Sequence, residues 1–473
     1  MEVIEDFQQL KVRFVDPIQY DYEAIRPIVL HAETVKARSE STQVERTTLG
    51  DKARKFVKEG MLGLVDGRQS AAGRKGHEFP DPVARHILYL KQIYPPIRNG
   101  EIERILRRVR EYDWDGLPDA GLWSAGTGLA DMRAIADYWA TKYDWRAAER
   151  DLNRFPQFIA DIDGQKIHYV QIKGSGANPL PLILSHGWPG SFYEFTHIAE
   201  RLAHPEKFGG DAKDAFDVII PSLPGYGFSG RPPRVIGPRY IADHFHKLMT
   251  GVLGYKHYLA QGGDWGSIVS TWMAHDHADA CRGLHLNMSF FRLPNVVPTT
   301  PEEIANAQAV MKAAAGETAY QQIQGTKPQT LGYGMMDSPV GTAAWIIEKF
   351  AAWSDVPRDD AGRPNLSARY TNDQLLTNVM IYLVGKSFVT STWLYKGVGE
   401  EMRAMTAPPH RVEVPTGFAA FPDPVFPPAP RSMFEQTFNM KHYTPMPRGG
   451  HFAALEEPDL FVEDLTAFAK LVR

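Results

Sequence analysis

An aspartate framed by glycines is the first position in this sequence that could do chemistry, in Gly262-Gly263-Asp264-Trp265-Gly266. The segment follows an apolar run that reads as a strand and opens a run that reads as a helix, the setting of a nucleophile elbow. Glycines two positions before and after Asp264 let the backbone fold tightly and turn the central side chain outward. A carboxylate there attacks saturated carbon and forms an alkyl ester, which water must then cleave. That chemistry suits epoxides and alkyl halides and does not suit a simple esterase. An aspartate before a helix is also an ordinary N-cap, so the elbow alone leaves both readings open.

Further residues decide between them. Gly449-Gly450-His451-Phe452 lies late in the chain, in a glycine-flanked loop just before a terminal amphipathic helix. His451 in that place is a general base that could draw a proton from water and direct hydroxide at an ester on Asp264. Upstream, His186-Gly187-Trp188-Pro189-Gly190-Ser191 follows a buried strand. Its glycine-bracketed turn can aim the backbone N–H of Trp188, with that of Trp265, at a developing oxyanion. Pro224-Gly225-Tyr226-Gly227-Phe228-Ser229 reads as a tight turn bordering the pocket.

The elements that must position these residues follow an α/β rhythm from about residue 151, with short β-branched runs alternating with helices. FIADIDGQKIHYVQIKG predicts a hairpin turning at Asp163-Gly164, and buried strands are expected in PLPLILS, FDVIIP, HYLAQ and CRGLHL. Residues from about 290 to 399 are helical, aromatic and punctuated by proline, and RVEVPTGFAAFP then restores a strand before the closing helix. A sheet domain interrupted by helices is a core with a lid. The divisions expected are a helical N-terminal segment of unassigned role at 1–103, a covering segment at 104–160, the first part of the core at 161–290, the lid at 291–400, and the last strand and helix at 401–473.

Bulk composition narrows the partners. The 473 residues are 43% hydrophobic and 23% charged, with a net charge of −4, an ordinary globular balance with no overall pull toward nucleic acid or membrane. Cys281 is the single cysteine and reads as a buried, inert thiol, which fits a reducing, cytoplasmic setting. The N-terminus lacks a signal-type apolar core, and no run of about 18 apolar residues predicts a membrane span. No H-e-x-x-H spacing or dinucleotide glycine pattern in its required context points to a metal or a cofactor, so none is expected. Residues 83–112 faintly resemble the helix-turn-helix segments of some transposases, but a mildly basic helical pair is more often a packing element, and nucleic acid is not expected as a partner. The segment before about Arg104 is compatible with a fused remnant, a homo-oligomer contact or a packed appendage.

From about Arg104 to the C-terminus the chain resembles the microsomal-type epoxide hydrolases. The resemblance is carried in order by ADYWATKYDWRAAERDLNRFPQF, HGWPGSFYEF, LPGYGFS, QGGDWGS, GLHLNMS, TKPQTLGYGMMDSPVG, LLTNVMIYL and RGGHFAALEEP. It implies an α/β-hydrolase fold, a mostly parallel doubly wound sheet with an inserted lid, and a cofactor-independent enzyme that takes an epoxide and water to a vicinal diol. Carried over by motif, Asp264 is the nucleophile, His451 the base and Trp188 an oxyanion donor. Two lid tyrosines of the family match Tyr320, in GETAYQQIQGTKP, and Tyr395, in STWLYKGVG. A neutral phenol can donate to the epoxide oxygen and protonate it as the ring opens.

Two departures from the family stand out. Its FP-x-[ED] acid position holds Pro424 here, in Phe421-Pro422-Asp423-Pro424. Asp423 is the expected substitute, with Glu435 and Asn287 as weaker candidates to orient His451. Where membrane-bound relatives carry an apolar anchor, this chain has a polar helical segment. The lid residues Met335, Trp345, Phe350, Trp353 and Trp393 favour an apolar, bulky substrate. The alternatives are a haloalkane or haloacid dehalogenase with the same nucleophile, and a catalytically weak binding protein on a hydrolase scaffold.

Overall fold

The computed structural model describes residues 24, 25, 28, 34–59, 97, 99–121 and 123–473. It divides into two units, Met1–Pro96 and Ile97–Arg473. In the first, helix α1 (Val35–Thr42) is capped by the Thr34 side chain, which accepts from the Ala37 amide, and α2 (Arg46–Glu59) follows. Residues 69–76, whose sequence reads as a flexible loop, and the first helix of the 83–112 pair lie outside the described residues.

The second unit begins with three helices, α3 (Asn99–Arg110), α4 (Leu129–Thr141) and α5 (Trp145–Leu152). Helix α3 is the second of the basic pair. Arg104 pairs with Glu101, Arg110 with Glu103 and Arg108 with Asp337, while Ile105 and Val109 are buried. Those three guanidinium groups thus have carboxylate partners within the unit, which is how a packing helix uses them.

The sheet follows. Strands β1 (Gln157–Ile162) and β2 (Gln165–Ile172) form the hairpin expected at Asp163-Gly164, with φ of 52° and 82° at the two turn residues. Positive φ at both matches a type I′ turn, whose twist suits antiparallel strands. The chain continues through β3 (Leu180–Ser185), α6 (Thr196–Ala203), β4 (Phe216–Pro221), α7 (Pro238–Lys247), β5 (Tyr258–Gly262), α8 (Asp264–Asp276) and β6 (Cys281–Leu286). Six lid helices come next: α9 (Pro301–Ala314), α10 (Ala319–Thr326), α11 (Pro328–Asp337), α12 (Pro339–Trp353), α13 (Asn372–Val384) and α14 (Phe388–Ala404). Strand β7 (Val412–Ala420), α15 (Arg431–Thr437), β8 (Phe438–Pro445), α16 (Ala453–Glu456) and α17 (Pro458–Ala469) complete the unit.

The eight strands are ordered β1-β2-β4-β3-β5-β6-β7-β8, antiparallel at β1–β2 and β2–β4 and parallel elsewhere. This is the α/β-hydrolase architecture that the resemblance implies. The order places the site. From β3 the chain crosses to β4 on one side, then returns past β3 to β5 on the other. Crevices at such a switch point, beyond the carboxyl ends of the strands, are where ligands bind in open α/β sheets. Strand β3 ends at Ser185 opposite Gly262 of β5, so the His186–Ser191 loop and the Asp264 elbow leave the sheet side by side.

Strand β8 is not foreseen in the sequence reading. Its sequence, FNMKHYTP, contains Lys441, His442 and a terminal proline, and only Phe438 and Met440 of it are buried. An edge strand pairs on one side only, so it needs none of the apolar alternation that marks its buried neighbours. The covering helices clasp the lid: Tyr138 Oη donates to Asp373 at 2.9 Å, Thr127 Oγ1 to the Ala344 carbonyl at 3.0 Å, and Arg363 of the lid pairs with Asp131.

Candidate active site

Asp264 opens α8 with φ at 46°, a left-handed conformation that is costly for a residue bearing a Cβ. The tight turn throws its carboxylate out over the ends of β3 and β5. Neither flanking glycine tolerates a side chain: a Cβ on Gly262 would overlap the Gly266 carbonyl, and one on Gly266 the Ser185 carbonyl. Gly187 is needed for a different reason, because a Cβ there would overlap Oδ1 of Asp264.

That close approach lets the Trp188 amide donate to Asp264 Oδ1 at 2.8 Å. The Trp265 amide stands in the first turn of α8, where backbone donors have no partner within the helix. Two braces hold the Trp188 loop. His186 is buried and neutral, its pKa lowered to about 4 chiefly by burial; its Nδ1 donates to the Gly187 carbonyl at 3.0 Å and its Nε2 accepts from the Leu223 amide at 3.2 Å. From α13, Asn378 Nδ2 donates to the Pro189 carbonyl at 2.8 Å and Tyr382 Oη to that of Gly190 at 2.6 Å. Both residues belong to the LLTNVMIYL motif, for which the sequence offers no role.

His451 lies across from the second carboxylate oxygen, its Nε2 3.5 Å from Asp264 Oδ2. That nitrogen is buried and makes no hydrogen bond. The Nδ1 nitrogen lies 2.9 Å from Asp423 Oδ2. The other oxygen of Asp423 accepts from the amides of Val425 and Phe426, both at 2.8 Å. The turn over Pro424 therefore brings Asp423 itself to the histidine. Glu435 is exposed and paired with Arg431, and Asn287 accepts from Gln261 Nε2 at 2.9 Å and stands against Gly263. The lid helps to seat the loop, since the His451 amide donates to the Trp353 carbonyl at 3.0 Å.

The electrostatics of His451 are a contest. Burial, the largest single effect, disfavours the imidazolium, but the nearby Asp264 and Asp423 carboxylates outweigh it and raise the pKa to about 10. With Asp264 ionised, His451 holds its proton.

Tyr320, on α10, and Tyr395, on α14, meet above the elbow. The Trp188 ring stacks on Tyr320 at 5.1 Å, Trp265 meets Tyr395 edge-on at 4.7 Å, and the two phenol rings lie 5.7 Å apart. Tyr320 Oη accepts from Gln321 Nε2 at 3.1 Å, whereas the enclosed Tyr395 Oη has no hydrogen-bond partner. Burial raises both phenols above their ordinary value, so both are neutral donors at neutral pH. Of the lid residues expected to face substrate, Trp353 packs on His451 at 4.7 Å, while Phe350 stacks on Phe452 at 4.0 Å as core. Trp345 donates to Gln324, and Met335 and Trp393 are half-buried.

Among the described residues no group of three or more potential ligands is placed to hold a metal, and no helix is long and apolar enough to cross a membrane. The Cys281 thiol is buried and pushed up to about 12 by burial.

An aspartate at the elbow of a parallel sheet, faced by a histidine and roofed by helices, defines an α/β hydrolase. The family model for the alpha/beta hydrolase fold matches residues 181–458, and that for the epoxide hydrolase N terminus matches residues 91–195. The chain belongs to the epoxide hydrolase family. It is 36% identical to epoxide hydrolase 1 of Oryctolagus cuniculus, over 72% of this chain and 80% of that protein. It is 37% identical to juvenile hormone epoxide hydrolase 2 of Ctenocephalides felis, over 73% and 78%. The solved Aspergillus niger epoxide hydrolase superposes with a TM-score of 0.69 at 29% identity, over 80% of this chain and 95% of that one. The N-terminal match begins upstream of Arg104 and takes in the whole of α3.

Proposed function

We propose that the protein hydrolyses an apolar epoxide to a vicinal diol through an ester on Asp264. The observation that carries the reading is the division of labour between the two carboxylate oxygens. Oδ1 is held by the Trp188 amide, while Oδ2 faces the catalytic space and lies near His451. Oδ2 attacks an epoxide carbon, the C–O bond of the ring breaks, and a phenol of Tyr320 or Tyr395 supplies the proton to the departing oxygen. The unpartnered Tyr395 hydroxyl loses no existing bond when it turns to substrate.

Ester formation then changes His451. Neutralising Asp264 removes one of the two carboxylates that hold the imidazole charged, so its pKa falls and it can release the proton. As a base held by Asp423 it takes a proton from water, whose oxygen attacks Cγ of the ester. Negative charge gathers on Oδ1, already at the Trp188 amide and beside that of Trp265. Collapse breaks the Cγ–Oδ2 bond, and the diol leaves with Oδ2 and the proton from His451. The proton left on Asp264 restores the phenol, and His451 takes back from solvent the proton it released there after ester formation, which closes the cycle.

The aromatic walls of Trp188, Trp265, Trp353 and Phe426 support an apolar substrate. A buried free thiol at Cys281 supports a reducing, cytoplasmic setting. One observation favours a dehalogenase instead: the indole N–H groups of Trp188, Trp265 and Trp353 are buried without partners, and a leaving halide needs such donors. Assaying diol formation from styrene-type epoxides beside halide release from alkyl halides of similar size separates the two. Diol without halide is expected; halide release without diol overturns the proposal.

A further inference from the structure

Glu194, in the HGWPGSFYEF segment, has no part in the steps above. It lies in the short helical turn Phe192–Phe195, and its carboxyl is pressed against the loop so closely that a Cβ on Gly190 would overlap Oε1. With Gly187, Trp188, Asp264, Asn287 and His451 it lines an enclosed cavity of about 10 Å³. That is room for one water, which needs two to four polar partners to be held. Tyr320 and Tyr395 do not line this space, so it lies apart from the phenols. His451 Nε2 is buried there without a hydrogen bond, and Asn287 is fixed at the rim by accepting from Gln261 Nε2 on its Oδ1.

We propose that Glu194 holds the hydrolytic water between His451 Nε2 and Cγ of the Asp264 ester. The inference rests on the covalent reading above and adds a residue to its second half. The water donates one hydrogen to His451 and the other to a carboxyl oxygen of Glu194. Its own oxygen is thereby turned toward Cγ. The first hydrogen passes to His451 and then to the diol oxygen as Cγ–Oδ2 breaks, while the water oxygen stays in the Asp264 carboxyl. Glu194 gains and loses no proton in the cycle.

The charge state of Glu194 fits that part. Burial pushes it up, the His451 charge lowers it, Asp264 raises it and a bond to the Ser191 backbone lowers it, for a net value of about 8. Burial, the largest of these effects, favours the neutral carboxyl over the carboxylate. Its carbonyl oxygen still accepts from water, but it adds no negative charge beside His451 and so does not pin the imidazole in its protonated form.

The test resolves the two half-reactions in rapid-quench single turnovers of a styrene-type epoxide, with the ester trapped in acid. Wild type, E194A and E194Q are compared after a thermal melt confirms folding. In E194A the ester should form within about twofold of the wild-type rate and disappear about tenfold or more slowly, with E194Q restoring much of the loss. Wild-type ester hydrolysis in both variants, or equal slowing of both steps with no rescue by glutamine, overturns the assignment. No ester in wild type would overturn the covalent reading itself, and this inference with it.

Discussion

Replacing Asp423 with asparagine should stop the enzyme halfway. The structure dictates which way the new amide turns. Oδ1 of Asp423 accepts from the Val425 and Phe426 amides, and Oδ2 lies 2.9 Å from His451 Nδ1. An asparagine must keep its oxygen toward the two amides, because an NH2 group there would face two donors. Its NH2 then points at His451 and donates to Nδ1. The imidazole is forced into the tautomer with the proton on Nε2, and the nitrogen facing Asp264 can no longer accept one. General base catalysis is typically worth about 10²–10⁴ in rate, so D423N should slow ester hydrolysis by about that factor. Alkylation does not need a base and should stay within about tenfold. Intact-protein mass spectrometry after mixing with a styrene-type epoxide should show nearly all D423N carrying one substrate mass, against a minor fraction in wild type. If D423N hydrolyses its ester at the wild-type rate, Asp423 does not set the tautomer and the reasoning fails.

Y395F removes a hydroxyl that has no partner, so the thermal midpoint should hold or rise while alkylation slows by about 10²-fold in single turnovers. G187A sets a methyl against Asp264 Oδ1, and overpacking of that kind costs about 1–3 kcal/mol; alkylation should collapse while circular dichroism remains native-like. D264N should drop the His451 titration well below the value of about 10 that the paired carboxylates sustain, as read by imidazole NMR shifts. An unchanged titration would show that Asp264 does not hold the proton there.

The parts of this molecule that were legible in the sequence are those where one residue type does a job few others can. A non-glycine residue forced to positive φ between a strand and a helix demands small neighbours, and Gly262 and Gly266 supply them. The Asp163-Gly164 turn demands two positive φ values, which Asp-Gly permits. What the sequence hid depends on distance in space. Asp423 stands one residue from the family's acid position, and only the path of the chain over Pro424 shows that it meets His451. Asn378 and Tyr382 read as part of an apolar helix, yet they donate to the loop that carries Trp188, about 190 residues earlier in the chain. Glu194 sits within the HGWPGSFYEF motif with nothing in its neighbours to single it out, and only the cavity beside Asp264 does so. Strand β8 has no apolar alternation to reveal it, because an edge position asks for none.

The most direct test of Asp264 as the nucleophile is a single turnover in ¹⁸O-labelled water with enzyme in excess. Attack by Asp264 Oδ2 places an enzyme oxygen in the first diol, so that diol should be unlabelled and the label should appear in the Asp264 carboxyl by peptide mass spectrometry. Label in the first diol, with none in Asp264, would mean that water opens the ring directly and would contradict the covalent mechanism.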